Sequence, residues 1–154
     1  MSDVLLSRRV AERFPQACPS CLRILLFVAE TAPVLPHLDQ LAQQLGYRGR
    51  NDLNRHLVGH GFPPVKRLVD WMRFLSWLGS WERSRLSLMR QAWGAGIDTT
   101  VCLRTVRRVT GNRWRDARTL GLSFWLDRFV ELTGSGVKCG SRAQPTSAGV
   151  ASWK

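Results

Sequence analysis

Apolar positions recur along this chain at intervals of three and four residues, and no run of alternating β-branched residues bounded by turn dipeptides interrupts them. That periodicity predicts an all-α protein. Residues 1–20 read as a short amphipathic lead-in carrying Val4, Leu5, Val10 and Phe14, stopped by Pro15 and Pro19. Ser20 is the expected N-cap of a strongly apolar, buried helix from Cys21 to Glu30 that ends near Thr31, Ala32 and Pro33. Pro64 suits the first turn of a long helix whose stripe of Leu68, Trp71, Met72, Leu75 and Leu78 continues to about Arg83, with Gly79 weakening it late. A last amphipathic helix, Leu122 to Leu132, presents Leu122, Trp125, Leu126, Phe129 and Val130 either as a cap on what precedes it or as a contact surface. From Gly134 onward Gly, Ser, Thr, Ala and Pro with scattered basic residues bury too little surface to offset ordering entropy, so 134–154 reads as a flexible tail.

An internal repeat lies between these ends. The segments beginning at Leu38 and Leu88 align 50 residues apart: Leu41-Ala42-Gln43-Gln44-Leu45-Gly46-Tyr47 matches Gln91-Ala92-Trp93-Gly94-Ala95-Gly96-Ile97 as Ala-x3-Gly followed by an apolar residue. Alanine lets a second helix approach closely, and glycine supplies the left-handed turn that ends the first helix of a helix-turn-helix. A second helix follows each turn, with Leu53 and Leu57 inward in the first copy and Leu103 and Val106 inward in the second. Each then runs into a glycine, Gly61 or Gly111. Two copies are fewer than a stable helical repeat array needs. The expected organisation is therefore a lead-in (1–20), a first helix-turn-helix subdomain (21–63), a linker helix (64–83), a second subdomain (84–120), a C-terminal helix (121–133) and the tail.

Charge adds direction to this outline. The 154 residues carry 23 Lys and Arg against 11 Asp and Glu, a net +12. Twenty of the bases are Arg, and residues 48–118 hold 14 Arg and one Lys against five acids. Such segregation points to a polyanionic partner rather than to general solubility.

These residues resemble the DNA-binding domain of the AraC/XylS transcription regulators over roughly Cys21 to Arg118. Leu38-Asp39-Gln40-Leu41-Ala42 through Gly46-Tyr47 looks like the family's first motif. Leu53-Asn54-Arg55-His56-Leu57 is similar to its recognition helix, and Gly61-Phe62-Pro63-Pro64 to the turn after it. Ala92 to Ile97, Leu103, Gly111 and Arg118 fall near the closing signature, with departures at Ile97, at Trp114 and in the step after Leu103. At this length the resemblance is to the small stand-alone form. It implies a regulator that binds double-stranded DNA as a monomer through two recognition helices.

Projection of the first recognition helix with Leu53 and Leu57 inward leaves Arg48, Asn51 and Arg55 outward, flanked by Arg50 and Asn54. Arg suits guanine O6/N7 and Asn suits adenine N6/N7. In the second, Leu103 and Val106 inward put Thr100, Val101, Arg104 and Arg108 outward with Arg107 at the edge, and Val101 could meet a thymine methyl. Arg113, Arg115 and Arg118 are the expected phosphate contacts. The 20-residue linker would span about 30 Å, close to the ~34 Å between successive major-groove segments on one face of DNA. The alternative is an interaction module of the same fold that docks onto another regulator or RNA polymerase, with Trp77 and Trp81 as anchors.

Other signals carry less. Cys18, Cys21, His56 and His60 can be written as a Cys2His2 zinc set, but the 34 residues between the pairs far exceed finger spacing and His56 lies in the recognition helix, so no metal or cofactor is expected. Redox use of Cys18 and Cys21 lacks the βαβ context it needs. No nucleophile, base or Gly-rich phosphate loop suggests an enzyme. The longest apolar stretch, Leu22 to Ala29, is broken once by Arg23 and is too short to span a bilayer, and Arg8-Arg9 is followed by Glu12, Arg13 and Pro15 rather than by an export signal's apolar run. A cytoplasmic protein with reduced thiols is the expectation.

Overall fold

The structure, a computed structural model, describes residues 4–32 and 37–133; the tail expected at 134–154 lies outside them. The described residues form α-helices and no strand, in agreement with the apolar periodicity. In chain order the helices are α1 (Val4–Arg13), α2 (Pro19–Thr31), α3 (Leu38–Gln44), α4 (Arg50–Gly59), α5 (Val65–Ser84), α6 (Leu88–Gly94), α7 (Thr99–Thr110), α8 (Trp114–Leu120) and α9 (Leu122–Thr133). None is long and apolar enough to cross a membrane.

The lead-in is part of the core. Leu6, Val10 and Phe14 are buried, whereas Leu5 points outward. The Phe14 ring packs between Phe62 and Phe129, at centroid distances of 5.5 and 5.7 Å. Arg13 pairs with Asp127, so the start of the described chain is held against α9. Helix α2 begins two residues earlier than the sequence suggests, with Cys18 as N-cap and Pro19 in the first turn in place of a Ser20 cap. A proline there loses no hydrogen bond, because the first amides of a helix have no intrahelical acceptor.

The repeat appears as two similar turns. Gly46 (φ +90°) and Gly96 (φ +69°) both lie in the left-handed region. The residue after each closes the turn through the same bond, Tyr47 N–H to the Ala42 carbonyl and Ile97 N–H to the Ala92 carbonyl, each 2.9 Å. Ala42 and Ala92 are fully buried beneath these turns. Helix α7 opens on Asp98, whose carboxylate accepts the Thr100 amide at 2.7 Å. It ends on Gly111 (φ +75°).

Helix α5 corrects the picture of a rod between two units. Its 20 residues are buried at nearly every position from Leu68 to Gly79. It packs against α1, α2, α4, α6, α7 and α9, which makes it the shared core. Gly79 lies among those buried positions, and the helix runs on to Ser84, close to the expected end at Arg83. Nor does its length separate α4 from α7. Asn54 of α4 accepts the Val65 amide at 2.8 Å. Within two turns of that point, Arg67 donates to the Arg108 carbonyl of α7 at 3.1 Å, and the Arg108 guanidinium reaches Asp70 at 3.1 Å. Both arginine-bearing helices therefore meet the first part of α5. The buried Asp70 carboxylate is neutralised from two sides, by Lys66 at 2.8 Å and by Arg108. That pairing allows a charge at the heart of the fold.

Candidate nucleic-acid interface and a cysteine-histidine cluster

Helix α4 turns Leu53 and Leu57 inward as expected. Arg48, Arg50, Asn51 and Arg55 are exposed. Their backbone is fixed by two acids that the sequence did not single out: Asp39 accepts the Arg50 amide at 3.1 Å and Asp52 the Arg48 amide at 3.3 Å. The Arg55 side chain is 80% exposed and lies 3.8 Å from Asp52. Asn54 is not a reader. Its carbonyl oxygen satisfies an orphan amide in the first turn of α5, which the proline before it cannot cap with a side chain. Asn54→Ala should therefore cost about 0.5–2 kcal/mol in unfolding free energy, the usual range for a lost cap. Base preference in a bound duplex should be unchanged, and chemical denaturation alongside a binding profile would check both.

The inward face of α7 is displaced from the sequence reading by one position. Cys102, Thr105, Val106 and Val109 are buried, and Leu103 is 47% exposed. Thr105 can be inside because its hydroxyl donates to the Val101 carbonyl at 2.9 Å, so burial leaves no donor unpaired. With about 100° per residue, the outward direction then falls on Thr100, Arg104 and Arg107. Val101 and Arg108 lie to one side and Leu103 to the other. Arg104 and Arg107 are exposed and make no ion pair among the described residues. Arg108 is removed from the reader set because it is committed to Asp70.

Of the three arginines assigned to phosphate, Arg113 and Arg115 are exposed at the start of α8. Arg118 is instead stacked on Trp81, its guanidinium carbon 4.3 Å from the ring centroid. Arg85 lies 5.3 Å from the same ring, so Trp81 is partly covered by cations. Trp77 is buried. Neither tryptophan is a ready anchor for a partner. The second unit exposes Leu86, Met89, Trp93, Val101, Leu103 and Leu120, of which Trp93 is 69% exposed.

The structure overturns the spacing argument against a Cys2His2 set. Cys18, Cys21, His56 and His60 offer ligand atoms that all lie within 4.8 Å of one another. The 34 intervening residues include the rest of α2, all of α3 and the start of α4, and the second half of α4 meets the first turn of α2 where Ser20 and Cys21 reach His56. Leu53 and Leu57 face the core while His56 meets Ser20 and Cys21 of α2, so the imidazoles do not displace the packed face. Cys21 Sγ is 3.7 Å from His56 Nε2, and the Ser20 hydroxyl lies 3.0 Å from the same nitrogen and 3.3 Å from Cys18 Sγ. His60 Nδ1–H donates to the His56 carbonyl at 2.8 Å. Burial raises the Cys18 pKa, but hydrogen bonds from Ser20 and Cys21 and the nearby His60 outweigh it and bring the thiol down to about 7. Burial and the neighbouring His60 lower the His56 pKa. A shallow cleft lined by Tyr47, Asp52, Arg55, His56, Gly59 and His60 opens the cluster to solvent.

No protein-family model, curated protein or solved structure matches this chain.

Proposed function

We propose that this protein is a sequence-specific DNA-binding transcription regulator of AraC/XylS type, a cytoplasmic monomer that binds through two helix-turn-helix units rather than an enzyme. The observation that carries this reading is the pair of exposed arginine faces on helices that follow equivalent glycine turns. Arg48, Arg50 and Arg55 line one, and Arg104 and Arg107 the other, with Arg113 and Arg115 beside the second. Most acids in the same region are spent on structure: Asp39, Asp52 and Asp98 hold backbone amides and Asp70 is buried, while Asp116 is exposed beside Arg115. What remains outside is a basic surface suited to phosphate and guanine. Asn51 and Arg55 from α4, and Thr100, Arg104 and Arg107 from α7, are the base readers in this account. Arg48, Arg50, Arg113 and Arg115 are its phosphate contacts.

Selection of bound duplex from a random pool, followed by footprinting, tests the reading. The expected result is an enriched asymmetric site with two unlike half-sites, because the two outward faces differ in sequence. No enrichment over the starting pool would reject sequence-specific binding.

A second reading has its own observation. The second unit exposes Met89, Trp93, Val101 and Leu103, an apolar set with no counterpart on α4. Protection of only the half-site read by α4 would assign DNA to the first unit and a protein partner, such as another regulator or RNA polymerase, to the second.

A further inference from the structure

We propose that Cys18, Cys21, His56 and His60 form a structural zinc site that fastens α4 to the start of α2. The inference begins with geometry. In a tetrahedral site Zn–S is about 2.3 Å and Zn–N about 2.0–2.1 Å, which places the ligand atoms roughly 3.3–3.8 Å apart. The four atoms here already lie within 4.8 Å of one another, so side-chain rotations of an ångström or so would close the shell. The ligands are organised in two short-range pairs. Cys18 and Cys21 occupy the N-cap and first turn of α2, and His56 and His60 are one turn apart on α4.

Chemistry selects the ion. Two thiolates and two imidazoles favour Zn²⁺ and discriminate against Mg²⁺ and Ca²⁺, which take oxygen ligands. Two thiolates balance the dication, so the bound site is neutral and adds no repulsion to a chain that already carries +12. The unsatisfied amides of the first turn of α2 favour the thiolate form.

The surroundings also fit. His60 Nδ1–H is held by the His56 carbonyl, which leaves Nε2 with its lone pair for a metal, the outer contact commonly found behind a ligating histidine. Both cysteines are buried, whereas the histidines border the open cleft, giving an ion a way in. Four protein ligands leave no open position, so the site is structural and not hydrolytic. Its consequence is mechanical. A four-point clasp closes the loop from Cys21 to His56 and fixes the orientation of α4 against the core, whichever partner α4 meets.

The test uses the full chain, produced without a metal-binding tag in zinc-containing medium and purified under reducing conditions. Elemental analysis should find one zinc per chain. Replacement by Co²⁺ should give the visible bands of a tetrahedral ion together with a thiolate charge-transfer band. Cys18→Ala and His60→Ala should each lose stoichiometric metal, and Cys102→Ala, which alters a buried thiol of α7, should keep it. Should the ligand variants fail to fold, the wild-type chain still decides: a chelator should lower its melting temperature, and Zn²⁺ but not Mg²⁺ should restore it. Substoichiometric zinc with no cobalt–thiolate band would overturn the proposal. So would zinc retained by the Cys18→Ala/His60→Ala double variant, or a Cys18–Cys21 disulfide found by mass spectrometry in the metal-free protein as isolated. None of these readouts requires DNA, so failure here is separable from failure of the DNA-binding reading.

Discussion

Trp71→Ala is expected to lower the stability of the whole chain by about 3–5 kcal/mol, the range for truncating a large buried aromatic. Trp71 is fully buried in the middle of α5, with its ring 5.3 Å from Phe129, 6.3 Å from Phe74 and 6.4 Å from Trp125. The loss should reach both glycine-turn units together, because α4 caps the first turn of α5 through Asn54 and α7 is pinned to it through Arg108. Urea unfolding should therefore shift as one transition. Two transitions, of which only one moved, would show that α5 does not couple the units. Trp71→Phe supplies the contrast. The Trp71 indole N–H is buried without a hydrogen-bond partner among the described residues. An unpaired buried donor costs about 1–3 kcal/mol, so losing it should offset part of the missing ring contact and keep the penalty below about half that of the alanine change.

This central role of α5 could be only half seen in the sequence. The stripe of Leu68, Trp71, Met72, Leu75 and Leu78 correctly marks a long helix. A single stripe suggests one buried face, however, and the packing of α1, α2, α4, α6, α7 and α9 around the helix makes positions such as Val69, Phe74 and Trp77 interior as well. The contacts with α1 and α9 join residues some fifty to sixty apart, beyond the reach of local periodicity. The one-position displacement of α7 has a different cause. Apolarity alone favours leucine over cysteine and threonine as an inward residue, yet Cys102 is small and apolar enough to pack and Thr105 satisfies its own hydroxyl within the helix. The arginine faces were largely legible because exposure follows from the apolar positions opposite them. Asn54, Arg108 and Arg118 were not, because their partners Val65, Asp70 and Trp81 come from another helix. The Cys18, Cys21, His56 and His60 cluster shows the same limit most sharply. Spacing rules describe single compact fingers, and here the two ligand pairs belong to separate helices brought together by the core.

Arg55→Ala and Arg115→Ala should weaken DNA binding in different patterns. Arg55 lies at the centre of the outward face of α4 and is 80% exposed, so it can enter a groove. Its loss should cost about 1–3 kcal/mol at the selected site and relax preference at one base position. Arg115 sits in the first turn of α8, outside both recognition helices, and is expected to meet the backbone. Removing it should weaken all sequences alike and flatten the salt dependence by about one unit of slope, because one fewer phosphate is neutralised. Titrations of each variant against the selected duplex and a scrambled one, at several salt concentrations, separate these patterns. Equal losses on both duplexes for Arg55→Ala would move it from base reader to phosphate contact. If neither substitution altered binding even at low salt, the basic faces would not be a DNA surface, and Met89, Trp93, Val101 and Leu103 would become the residues to vary in search of a protein partner.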